Sequence, residues 1–365
     1  MNTTLPVHKT TPVSLLVAMF AATLWATAHA SPPSAAPREP SAPFDVDAIV
    51  RATDDLPRLH SLLVSWRGSL IVERYFNGAR PTRLANIKSA SKSIVSALVG
   101  IAIDRGLIAG VRQPIASYFG DLLGPDVEPR KKQITIENLL TMQSGLAPTS
   151  NRNYGAWVQS PNWVRYVLSR RIESQPGTGM AYSTGNTHLL SAILTNVSGR
   201  STWQFAEDTL GRPLGFSLPQ WPRDPQGVYF GGNDMLLTPR QMVAFGELYL
   251  HRGRANGRQI VSAEWVDASL VARTRSNVSG QRYGYGWWSR EMAGVPTYFA
   301  WGFGGQFIFV VPELDLVVVS TSAVTLGDDR RSHQRAVEDL IERLVVAPTT
   351  ANQSILPAAR DGSRP

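Results

Sequence analysis

Ser89-Ala90-Ser91-Lys92 sets a hydroxyl and an amine three residues apart, and it is the only Ser-x-x-Lys in the chain. A serine hydroxyl is a weak nucleophile until an adjacent base takes its proton. The run from Ile94 to Ile103 is apolar nearly all round, which predicts a buried helix. If that helix starts near Ser89, Ser89 and Lys92 share one face, and Val95, Val99 and Ile103 continue it. A lysine buried there loses hydration, so its charged form is disfavoured and its pKa falls. A neutral amine beside a hydroxyl is a general base beside a nucleophile. The helix N-terminus also offers free N–H groups to a developing oxyanion. The same residues equally fit an N-cap serine with a lysine snorkelling from the first turn.

Two further segments could contribute chemistry. Tyr182 lies in a loop-forming run, Pro176 to Asn186, and a phenol held near an ammonium ionises more readily and can carry protons. Trp301-Gly302-Phe303-Gly304-Gly305 precedes an apolar strand, where glycines permit close backbone approach, as an oxyanion donor or substrate-binding edge requires. Read alone, Tyr182 is also a packing tyrosine and the glycine run a bulged start to a strand. Other chemistries lack their residues. There is no Gly-x-Ser-x-Gly and no Gly-Lys of a phosphate loop. His60, His188, His251 and His333 are not paired at metal-ligand spacing. No metal or organic cofactor is expected.

The elements that must hold these residues are legible in outline. Leu62–Trp66 and Leu70–Phe76 read as a hairpin through Arg67-Gly68-Ser69, and 307–311 with 316–320 as a second. Helical spacing marks 94–103, 136–142, 163–168, 189–197, 239–250 and 330–346. Strands at both ends bracket a helical middle, so the expected fold class is α/β (α+β). It is an antiparallel sheet flanked by helices, with an inserted, mostly helical part. The α/β part is expected at about 44–88 and 258–346, the helical part at about 89–257, and a loose tail at 347–365.

The N-terminus reads as an export signal. Lys9 precedes a mostly apolar run, Val13 to Ala28, and Ala28-His29-Ala30 offers small residues for cleavage, giving a signal peptide over 1–30. Ser14, Thr23 and Thr27 make the run short for an uncleaved membrane anchor, so no stable span is expected after cleavage. A Pro/Ala/Ser linker follows at 31–43. These features predict a periplasmic or secreted protein. The absence of cysteine removes disulfides, thiolate metal ligands and a lipid-anchored cysteine. The net charge of +8 is almost wholly arginine, with no basic run longer than Arg130-Lys131-Lys132, which argues against nucleic acid as a partner.

Taken in order, these segments resemble the serine β-lactamase/DD-peptidase superfamily, in particular its class C-like branch with esterase and 6-aminohexanoate oligomer hydrolase relatives. The resemblance spans about Leu62 to Val346. It also includes Ile134 to Leu146, Gly232-Asn233-Asp234-Met235 with Leu237-Thr238-Pro239-Arg240, Phe245 to Leu250, and the aromatic run Tyr283 to Trp288, which looks like a strand before the third motif. It implies Ser89 as nucleophile, Lys92 as its partner and Tyr182 as the tyrosine of a Tyr-x-Asn element. The implied oxyanion hole is the amide of Ser89 and one near Phe303, flanked by Gly302 and Gly304. Two positions depart from the family. Thr184 stands where the Asn is usual, with Asn186 as a candidate substitute. Trp301-Gly302 stands where Lys or His, then Thr or Ser, then Gly is usual, which weakens recognition of a substrate carboxylate unless Arg282 or Arg290 reaches in. The resemblance therefore implies a small ester or linear amide substrate in a cleft lined by Trp287, Trp288 and Trp301. The alternatives are β-lactamase or DD-carboxypeptidase activity, or a non-catalytic sensor of the same fold.

Overall fold

Alternation along the central strands decides the layering. In a strand successive side chains face opposite sides. Here Leu63, Ile308, Val310, Val317 and Val319 join one buried apolar cluster, while Leu62, Val64, Phe307, Phe309, Leu316 and Val318 join another. The sheet is therefore covered on both faces. The computed structural model describes residues 42–325 and 327–355. The expected signal peptide and nearly all of the linker lie outside them.

The strands, in chain order, are β1 (Leu59–Trp66), β2 (Ser69–Tyr75), β3 (Ala85–Asn86), β4 (Leu236–Leu237), β5 (Arg254–Ala255), β6 (Arg258–Gln259), β7 (Thr274–Arg275), β8 (Arg282–Tyr283), β9 (Trp288–Met292), β10 (Val295–Gly302), β11 (Gln306–Val311) and β12 (Leu316–Ser322). Eight of them form one sheet in the order β2-β1-β12-β11-β10-β9-β8-β7. Every pairing recorded in it is antiparallel. Both predicted hairpins are present. The first turns at Arg67 and Gly68, both with positive φ, as a tight hairpin needs.

The expected helices form at Ser91–Asp104, Ile136–Leu140, Trp163–Ser169, Thr184–Ser198, Pro239–Leu250 and Arg330–Ile341. Thr238 and Gln241 close a capping box at the start of the Pro239–Leu250 helix, with proline in its first turn. The Ser91–Asp104 helix is buried from Ser91 through Ala102, as its apolar circumference predicts. It sits between the sheet and the Thr184–Ser198 helix.

Four expectations need correction. The Pro239–Leu250 helix packs on β11 and β12, so it belongs with the sheet and not with the helical part at 89–257. Of the loose tail expected at 347–365, the described residues, up to 355, are instead helical. A wide helical turn over Glu342–Val346 leads into a helix at Ala347–Ile355, where buried Thr349 donates to the Val345 carbonyl at 2.6 Å. The linker ends before 43, since Pro43 is buried and its carbonyl accepts from Asn352. Tyr283 to Trp288 is not one strand, because Gly286, at φ 78°, turns the chain between β8 and β9.

Candidate active site

Ser89 lies in a tight 3₁₀ turn, Lys88–Ala90, that runs directly into the Ser91–Asp104 helix. The preceding Lys88 is left-handed, at φ 50°, a conformation that costs a non-glycine residue about 1 kcal/mol or more. A local network holds it there. Asn86 Oδ1 accepts from Lys88 N at 3.0 Å, and Asp234 Oδ1 accepts from Asn86 Nδ2 and Lys88 Nζ, each at 2.8 Å. Ser91 Oγ donates to the Lys88 carbonyl at 2.6 Å and accepts from Met235 N at 3.2 Å. The end of β10 presses on the same turn. A Cβ on Gly302 would stand 2.1 Å from the Ile87 carbonyl oxygen, so only glycine lets the backbones meet.

Lys92 is 2% exposed, and its amine lies 3.1 Å from Ser89 Oγ, 3.3 Å from Thr184 Oγ1 and 2.6 Å from the Gly232 carbonyl oxygen. Burial pushes the amine down to about 7, with the Asp234 carboxylate acting against the shift. Tyr182 lies beside Ser89, and the face of its ring lies 4.9 Å from Lys92 Nζ. The residue pair and the tyrosine therefore meet. Burial also pushes the phenol up to about 12, with the nearby Ser89 side chain acting against the shift. The expectation that the neighbouring amine would favour phenolate is thus corrected: desolvation outweighs it, and an amine with a pKa near 7 carries little positive charge above neutrality.

Thr184, in the expected Asn position, faces the Lys92 amine. Its hydroxyl is also 2.9 Å from Ser150 Oγ, which accepts from Thr184 N at 2.8 Å. Asn186 does not substitute at the cleft. It is 0% exposed, and its Oδ1 accepts from Ser144 Oγ at 3.0 Å inside the helical layer.

Trp288 stacks on Tyr182 at 5.8 Å, and Trp301 leans on Trp288 at 5.4 Å. These three rings form an aromatic wall. Trp287 is no part of it. At 1% exposure it lies on the opposite face of the sheet against Phe245 and Tyr249. Phe303 carries the Arg330 guanidinium 4.5 Å above its ring. Gly304 is left-handed, at φ 85°, where a Cβ would approach the Ala323 carbonyl to 2.7 Å. Arg290 is paired with Glu338 and Glu342, and Arg282 lines a cleft with Arg290, Leu270 and Tyr298. Neither contacts Ser89, Lys92 or Tyr182 among the described residues.

Sequence reasoning assigned no role to Gly232, Ser150, Lys88 or Asn86. The glycine pair at 231–232, ahead of Asn233-Asp234, was the available signal, since paired glycines mark close backbone approach.

Comparison with known proteins agrees with this architecture. The Beta-lactamase family model matches residues 47–341. The 6-aminohexanoate-dimer hydrolase of Paenarthrobacter ureafaciens is 26% identical over 335 residues, covering 81% of this chain and 83% of that protein. The D-alanyl-D-alanine-carboxypeptidase/endopeptidase AmpH of Escherichia coli (strain K12) is 25% identical over 290 residues, 68% of this chain and 74% of that one. A family VIII carboxylesterase shares the fold, with a TM-score of 0.63 at 17% identity, over 80% of this chain and 96% of that one. The agreement runs from before β1 into the Arg330–Ile341 helix, and on that extent the chain belongs to the Beta-lactamase family, a family of hydrolases.

Proposed function

We propose that this protein is an exported serine hydrolase that cleaves esters or uncharged linear amides through an acyl-enzyme on Ser89. The observation that carries the reading is the 3.1 Å approach of Lys92 Nζ to Ser89 Oγ inside a pocket that lowers the amine to about 7. Counting donors supports Lys92 as the base. A neutral amine has two N–H groups and one lone pair. The Gly232 carbonyl can only accept, so it takes one N–H, and Thr184 Oγ1 takes the other. The lone pair is left for the Ser89 hydroxyl.

In the proposed reaction Ser89 Oγ attacks the carbonyl carbon as its proton moves to Lys92 Nζ. The tetrahedral oxyanion is stabilised by the amides of Ser89 and of the Phe303–Gly304 segment. Tyr182, with its phenol held protonated, passes the proton from Lys92 to the leaving oxygen or nitrogen as the old bond breaks. Water then attacks the acyl carbonyl, gives a proton to the same pair, and Ser89 leaves with it restored.

Substrate class follows from what faces the cleft. Trp301-Gly302 takes the place of the family's cationic motif, Lys88 is paired with Asp234, and the wall is aromatic. Such a lining suits an apolar, uncharged acyl group. Arg330, on the Phe303 ring, favours one second reading: turnover of carboxylate-bearing β-lactams or D-alanyl peptides with this guanidinium as anion partner.

Intact-mass analysis after fluorophosphonate treatment tests the nucleophile. One adduct on the wild type and none on Ser89→Ala is expected; an adduct that survives the substitution places the nucleophile elsewhere. Turnover of p-nitrophenyl esters, linear amide oligomers and nitrocefin ranks the substrates. Best turnover of nitrocefin moves the reading to the second class, and labelling without any turnover makes the protein a sensor.

A further inference from the structure

The helix that presents Thr184 to Lys92 carries, one turn later, His188, which with Asp224 of a later loop forms a polar pair that the proposed reaction leaves unused. The side chains of His188 and Asp224 are both 0% exposed, with Nε2 3.0 Å from Oδ2. Trp157, Trp163 and Phe230 surround the imidazole. A carboxylate with no access to water is costly unless its lone pairs are filled. These are: Oδ1 accepts from Gln226 N at 2.9 Å and Val228 N at 2.8 Å, and Oδ2 from His188. With Nε2 donating to Asp224, the other ring nitrogen, Nδ1, is an acceptor, and it receives Gly231 N–H at 3.4 Å.

The next residue along is Gly232, whose carbonyl is the nearest partner of the Lys92 amine. This backbone lies flat on the Thr184–Ser198 helix. A Cβ at Gly231 would stand 2.2 Å from the Thr187 carbonyl oxygen, and one at Gly232 2.9 Å from Thr184 Cγ2. The segment thus has no side chain of its own to fix its rotation, and the imidazole supplies that constraint.

We propose that His188, with its tautomer fixed by Asp224, is a positioning residue that orients the Gly231–Gly232 backbone so that the Gly232 carbonyl aims the Lys92 lone pair at Ser89. The inference rests on Lys92 being the base. The charged groups on this path are few. Asp224 faces the imidazole, and at Lys92 the nearby charge is Asp234, itself paired with Lys88; the other neighbours of the amine are Tyr182, Thr184 and Ser89.

Asp224→Asn separates positioning from packing. The two N–H groups on Oδ1 hold the new amide with its oxygen towards Gln226 and Val228, so its NH₂ faces His188 Nε2. The imidazole must then carry its proton on Nδ1, donor against donor at Gly231. The expected result is a folded variant whose fluorophosphonate inactivation is slower by up to about 100-fold, the scale of an ångström-sized misplacement. The midpoint of its rate–pH profile should fall, because the Lys92 cation loses an acceptor. A folded variant with the wild-type rate and midpoint overturns the proposal. Should the variant not fold, ¹⁵N shifts of histidine-labelled wild type decide: His188 protonated on Nε2 supports the proposal, and on Nδ1 refutes it. A wild-type profile with no limb near neutrality fails differently, because it removes Lys92 as base whatever Asp224→Asn does.

Discussion

Lys92→Met should destroy acylation and yet stabilise the fold in a pH-dependent way. The free amine titrates at 10.5 and the folded one at about 7. Between those values the unfolded chain holds a proton that the folded chain has released, so wild-type stability rises with pH through this window. The burial cost is therefore complete below pH 7 and fades towards pH 10.5. It amounts to about 5 kcal/mol at most. Methionine removes that cost but leaves the Gly232 carbonyl and Thr184 hydroxyl without a donor, which offsets about 1–3 kcal/mol. The variant should thus exceed wild type by about 2 kcal/mol at pH 6, and this advantage should shrink by about 2.5 kcal/mol by pH 9. Urea unfolding of both proteins at the two pH values reads the difference, in which other titrating groups cancel. An advantage that does not change with pH would mean that Lys92 stays charged in the folded chain.

Three further outcomes follow from the geometry. Tyr182→Phe should lower kcat on linear amides by about 10²–10⁴-fold, the range of a lost general acid, and cost p-nitrophenyl esters far less because their leaving group departs unprotonated; equal losses on both would take Tyr182 out of leaving-group protonation. Gly302→Ala brings a methyl group into the Ile87 carbonyl and should cut kcat about 100-fold in steady-state assays, with unaltered activity showing that β10 does not set the Ser89 turn. Thr184→Val deprives the Lys92 amine of an acceptor, so the rate–pH midpoint should move down and stability fall by about 1–2 kcal/mol by thermal unfolding, whereas an unmoved midpoint would disconnect Thr184 from the base.

How far the sequence carried the account depends on where each signal lies. Ser89 and Lys92 were legible because three residues is one helical turn, and the apolar run behind them announced burial. Thr184 and Asn186 show a limit of pattern matching. Two positions apart on one helix they cannot face the same way, so when Thr184 meets Lys92, Asn186 must point inward. Trp287 and Trp288 fail as a pair because the turn at Gly286 leaves Trp287 outside β9, packed on Phe245 and Tyr249, while Trp288 opens the strand. The Gly232 carbonyl had no side-chain signature, and the left-handed Lys88 is set by a partner, Asp234, far along the chain. The Ala347–Ile355 helix was missed because its sequence is polar and begins with Ala-Pro, although proline is well tolerated in a first helical turn.

The rate of fluorophosphonate labelling at Ser89 as a function of pH, compared between wild type and Lys92→Met, bears most directly on the base. Labelling should rise to a plateau with a midpoint at about 7 in wild type, and the variant should lack that limb. A wild-type rate that keeps climbing towards pH 10.5, or a variant that retains the same limb, would contradict a neutral Lys92 beside the nucleophile.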